Sequence, residues 1–142
     1  MRNFRIPLTV LLLLLLFLVT GCSAKEAYFP REEAIRNGYI VLDGTNSENH
    51  DRFEIFIKNV DAKREDSISI VIYDLTKSQY VINIHFDGEL IHASRYFMDQ
   101  DSNKSQVTDE MIYTHISRTE SKNYFLVDER NIHEELWIYQ GN

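Results

Sequence analysis

From Asp66 to Phe97 the chain alternates apolar and polar residues almost without a break, and that pattern limits the fold more than any other feature. In "DSISIVIYD", Ile68, Ile70 and Ile72 fall on one side of an extended chain, with Ser69, Val71 and Tyr73 on the other. "QYVINIHFDGELIHASRYF" continues the alternation around Asp87-Gly88, a two-residue hairpin signal. That register pairs Phe86 with Glu89 and Ile84 with Ile91. One face then gathers Tyr80, Ile82, Ile84, Phe86, Ile91, Ala93 and Phe97 as core. The other holds Val81, Asn83, His85, Leu90, His92 and Ser94 and is mostly polar. Such a sheet needs a cover on one side only.

The cover is available just upstream. In "NSENHDRFEIFIKNVDAKRE", Phe53, Phe56, Ile57 and Val60 recur at i, i+3, i+4 and i+7 and so share one helical face. Ser47 or Asn49 suits the cap, and Asp51 the first turn. A shorter helix is expected in "PREEAIRNG": Pro30 at its start, Glu32 and Glu33 near its positive end, and Asn37-Gly38 to stop it. Tyr39 to Leu42 then runs extended to a turn at Asp43-Gly44. Late strands are expected in "EMIYTHIS", "NYFLVDE" and "ELWIYQ". The fold class predicted is α+β: a short helix and one amphipathic helix packed on a mainly antiparallel sheet of about five to six strands.

The first residues, "MRNFRIPLTVLLLLLLFLVTGC", are of another kind. Arg2 and Arg5 precede an apolar run that is short for a span of about 20 residues and is interrupted by Pro7 and Thr9. Val19, Thr20, Gly21 and Cys22 resemble the lipobox of bacterial lipoprotein signals: a branched aliphatic, two small residues, then cysteine. In that family the thiol receives a diacylglyceryl group and the peptidase cuts before the cysteine. Two acyl chains hold a protein stably at roughly 0.8 kcal/mol per buried methylene. An ordinary secretion signal and an uncleaved anchor are the alternatives. The organisation expected is therefore a signal peptide over residues 1–21, a short lipid-anchored tether over 22–29, and one domain over 30–142.

With Cys22 lipidated, no thiol is left for a disulfide, a metal or a nucleophile. Losing Arg2 and Arg5 moves the formal charge from −7 to −9. An acidic surface argues against nucleic acid and against electrostatic attachment to anionic lipids.

"EEAIRNGYIV", "DRFEIFIKNV", "DSISIVIYD" and "HFDGELI" resemble the bacterial family catalogued as domain of unknown function 4362, from about Tyr28 to Asp128. The resemblance implies a small lipoprotein, mostly of Gram-positive and often spore-forming bacteria. It implies no catalytic residues, because the family's activity is unassigned. The chain departs from the family pattern in having Tyr39 where an acid is usual and "LTKSQ" where an acid and a glycine are common. In the late hairpin it has residues such as Tyr113 and Asp128 where many members carry a cysteine pair.

Candidate chemistry is thin. In the Asp87-Gly88 register His85 and His92 are diagonal neighbours on the polar face, within reach of a shared metal ion but without a third ligand unless His115 lies beside them. "HEE" at His133, Glu134 and Glu135 has Trp137 where a zinc-protease motif needs its second histidine. Ser67, Ser69 and Ser117 alternate within strands and have no nucleophile elbow. "DQDSNKSQVTDE" lacks the glycine and final acid of a calcium loop. No catalytic, cofactor-binding or metal-binding residue is assigned.

The function expected is a lipid-anchored cell-envelope binding module. Its partners would be the membrane, through Cys22, and an envelope protein or wall polymer. The alternatives are a metal-assisted envelope hydrolase and an inhibitor or immunity-type lipoprotein.

Overall fold

The computed structural model describes residues 28, 30–44, 46–75, 78–99, 105–107, 110–130 and 135–141, with the backbone alone for 99 and 105–107. Val19, Thr20, Gly21 and Cys22 lie outside the described residues, as do His133 and Glu134. Among the described residues no helix is long and apolar enough to cross a membrane.

The elements run α1 (Arg31–Arg36), β1 (Ile40–Asp43), β2 (Asn46–Glu48), α2 (His50–Asp61), β3 (Asp66–Tyr73), β4 (Ser78–Phe86) and β5 (Ile91–Asp99). β6 (Ser105–Val107), β7 (Met111–Tyr113), β8 (His115–Arg118), β9 (Asn123–Val127) and β10 (Glu135–Gln140) follow. The larger sheet has the order β2-β1-β3-β4-β5-β6, and β7 also pairs with β5. Because β4 occupies one edge of β5, β6 and β7 lie end to end along the other, against residues 96–98 and 91–93. β10-β9-β8 form a second, antiparallel sheet. The α+β expectation holds.

One pairing departs from the antiparallel rule. β1 runs parallel to β3, with Ile40 opposite Ile70. Parallel neighbours need a long crossover, and α2 with its flanks supplies it. Both helices end in the same way. After α1, Gly38 adopts φ 79 while Gly38 N–H and Tyr39 N–H donate to Ile35 and Ala34 carbonyls, each at 3.0 Å. After α2, Lys63 takes the left-handed position at φ 53, and Arg64 N–H donates to Asn59 at 2.8 Å.

Asn49 occupies the N-cap of α2, as its sequence position suggests, but its side chain does not cap the helix. Its amide donates to the carbonyls of Ile35 at 3.0 Å and Tyr39 at 2.7 Å, tying the end of α1 to the start of α2. Bonding these two carbonyls, the first of which also accepts the Gly38 N–H, takes precedence over the cap.

The hairpin register also differs from the two-residue turn expected. Asp87 Oδ1 accepts from Glu89 N–H at 2.8 Å and Leu90 N–H at 2.7 Å, so the turn spans residues 87–90 and Phe86 faces Ile91. This Asx-type turn absorbs two more residues. A shift of two keeps every side chain on its face, and Ile82, Ile84, Phe86, Ile91 and Ala93 are buried as expected. Tyr80 is not: it is 45% exposed near the end of the hairpin, beside the half-buried Phe97.

"EMIYTHIS" is two strands. Thr114 breaks it, its N–H and hydroxyl both donating to Val127 O, and the chain passes from the edge of β5 to the second sheet.

One core cluster joins Phe53 and Phe56 of α2 to Ile68, Ile70, Ile82 and Ile84 of the large sheet and to Tyr124, Leu126, Ile138 and Tyr139 of the small one. A second, smaller cluster sets Ala34 of α1 against Val41, Val71 and Val81 on the other face. The short helix thus covers one end of the side that the alternation leaves polar.

Candidate binding cleft

The small sheet and α2 cover the same face of the large sheet, and a cleft of about 700 Å³ opens between them. α2 contributes Glu54, Ile57, Val60 and Asp61, whose spacing keeps them on one side of the helix. β8 supplies His115, Ile116 and Arg118, and Tyr124 comes from β9. The turn after β4 closes one end with Gly88 and Glu89. Gly88 has φ 101, and a Cβ there would stand 3.6 Å from Lys63 O, so the turn is seated against the C-terminal end of α2.

The cleft has an apolar floor of Ile57, Val60, Phe86 and Ile116 and a charged rim. Glu54, Asp61 and Glu89 are acidic, and Lys63 and Arg118 are basic. The Arg118 guanidinium lies 5.4 Å from the Tyr124 ring centroid, a cation–π contact that holds it at the rim. His115 Nδ1 lies 3.2 Å from Thr114 Oγ1 and 3.6 Å from Glu129 Oε1. The arrangement suits an extended ligand with apolar side chains and flanking charges of both signs.

The polar face of the large sheet is a separate place. His85 stands directly opposite His92, with ring centroids 6.0 Å apart, because of the two-residue change of register. His85 Nδ1 is 2.9 Å from Ser67 Oγ. His92 Nε2 is 3.2 Å from Asp87 Oδ2, and its Nδ1 is 3.6 Å from Glu110 Oε1. Hydrogen bonds from the Leu90 and Glu89 N–H groups, with His92 behind them, hold the Asp87 carboxyl down at about 2. Both carboxylates in this group therefore meet His92, whereas the serine meets His85. A serine nucleophile needs both partners on one imidazole, a base beside the serine that is itself oriented by an acid. His115 is on the second sheet and does not join them. Among the described residues no three His, Cys, Asp or Glu side chains are grouped so as to hold a metal ion.

A third polar group sits at the start of α2. His50 Nδ1 hydrogen-bonds the Tyr139 hydroxyl, its Nε2 is 3.7 Å from Glu54 Oε1, and its ring stacks on Tyr139 at 5.6 Å. Burial, countered in part by the Tyr139 hydroxyl's bond to Ser47, leaves the phenol above its ordinary value. This group joins α2 to β10 and leaves the tyrosine protonated at neutral pH.

The sequence reading pointed to the histidine pair and missed the cleft. Glu54, Asp61, Glu89 and Arg118 look like ordinary surface charges until β8 is separated from β7, and Thr114 gives little warning of that break. The chain matches none of the protein families, curated proteins or solved structures compared with it.

Proposed function

We propose that this chain is a lipid-anchored cell-envelope binding module, attached through diacylglyceryl-modified Cys22, that seats an envelope protein or wall-polymer partner between α2 and β8. The observation that carries the reading is the cleft: about 700 Å³ with an apolar floor and a rim of mixed charge. An apolar floor gives affinity, and the rim selects orientation and partner.

Crosslinking in intact cells tests it, with the full chain compared against Cys22→Ser and Arg118→Glu. A partner captured by the wild type and weakened in both variants supports the reading. The same capture by all three chains contradicts it.

A further inference from the structure

The chain comes up to the folded domain at Tyr28, whose ring meets that of Tyr73 edge-on, centroids 6.2 Å apart at 78°. Tyr73 is the last residue of β3, so Tyr28 lies at the end of the large sheet where β3 gives way to β4. The same end carries uncovered apolar side chains. Leu75 is 100% exposed, Tyr80 is 45% exposed, and Phe97 lies opposite Tyr80 with ring centroids 5.1 Å apart. Single exposed apolar residues are common on any protein. Tyr80 and Phe97 lie at the same end of the sheet as Tyr28, on the face opposite the Tyr28–Tyr73 pair, and Leu75 lies in the connection between β3 and β4.

Tether length makes the position meaningful. Five residues lie between Cys22 and Tyr28, and the six steps from one to the other allow roughly 22 Å at full extension. β4 has nine residues and is itself roughly 30 Å long. A lipid on Cys22 therefore keeps the Leu75 end close to the bilayer, while the 87–90 turn stands at the opposite end of the same hairpin. The mature charge of −9 gives no long-range attraction to anionic headgroups, and Asp74 adjoins Leu75. Any contact made here is apolar, and tyrosine and phenylalanine suit the headgroup layer.

We propose that the end of the large sheet bearing Leu75, Tyr80 and Phe97 rests in the interfacial layer of the bilayer that holds the Cys22 lipid. The cleft beside Gly88 and Glu89 then faces away from the membrane, open to an incoming partner. This orientation rests on the lipid-anchor reading, and it adds a second, apolar contact to the acyl chains.

The test uses the mature, lipidated full chain in phosphatidylcholine vesicles containing headgroup-level spin-labelled lipid. Because Cys22 is acylated, Leu75→Cys and Glu89→Cys each offer a single thiol for an environment-sensitive dye, and both positions are exposed. The dye at 75 should be blue-shifted and quenched by the spin-labelled lipid several-fold more than the dye at 89. The difference should persist at about 1 M salt, where electrostatic contact is screened within ~3 Å. Equal quenching of both dyes by aqueous iodide, with the protein floating with the vesicles, overturns the orientation alone. Protection at 75 that disappears on diluting the protein within the bilayer assigns this end to a second copy and overturns it too. Failure of the chain to float overturns the anchor itself, and the contact with it.

Discussion

The rings of Phe53 and Tyr139 stack 4.1 Å apart at 29°, joining the middle of the domain to its last strand across 86 residues of sequence. Tyr124 closes the group, edge-on to Phe53 at 4.9 Å. These three rings hold α2 to the small sheet, and so they set the width of the cleft. Phe53 and Tyr139 are fully buried, and truncating such a ring removes both its burial and its packing.

Phe53→Ala should therefore cost about 3–5 kcal/mol, in the range of large-to-small core changes. Urea unfolding reads it as a lowered midpoint. A loss under about 1 kcal/mol would mean that the small sheet is not packed on α2 as described.

The second prediction concerns acid. Asp66 accepts hydrogen bonds from Arg52 and Asn59 and from the Ser67 N–H. Burial works to raise its pKa, but these bonds bring it below the ordinary 3.8. The unfolded chain thus binds the proton first as pH falls. The stabilisation is complete above 3.8 and is lost as pH drops through the lower folded value. Asp66→Asn should cost about 1–3 kcal/mol at neutral pH, and the two stability curves should converge in acid. Parallel curves from pH 7 to pH 2 would contradict this.

Lys63 offers the opposite sign. It holds φ 53 after α2, where glycine is the usual residue and a Cβ is a strain. Lys63→Gly should stabilise the domain by about 1 kcal/mol, visible as a raised thermal midpoint. A lowered midpoint would show that the lysine side chain itself supports the turn at Gly88.

Asp87 gives a direct check on the hairpin. Its carboxyl should titrate near 2 by carbon NMR, because the Leu90 and Glu89 N–H groups bind the ionised form, with His92 adding to them. A midpoint near 4 would restore the two-residue turn that the Asp87-Gly88 pair suggests on its own.

Local sequence signals carried much of this fold. The alternation of Ile68, Ile70, Ile82 and Ile84 was enough to place the core face, and the spacing of Phe53 and Phe56 was enough to place the covering helix. What failed was decided by side-chain hydrogen bonds or by distant neighbours. Asp87 lengthened its own turn, Asn49 bonded the carbonyls of α1 instead of its own helix, and Thr114 sent one apparent strand into two sheets. The cleft depends on that last change of sheet, so its residues are spread over 70 positions, from Glu54 to Tyr124, without a shared pattern. His85 and His92 were visible on one face, but their pairing followed the turn.

The intact mass of the mature protein extracted from membranes tests the account most directly. The prediction is a chain beginning at Cys22 and heavier than its amino-acid mass by a diacylglyceryl group, with Cys22→Ser found neither processed there nor anchored. A chain that keeps residues 1–21, or one that begins at an unmodified Cys22, would contradict the anchored module and the orientation built on it.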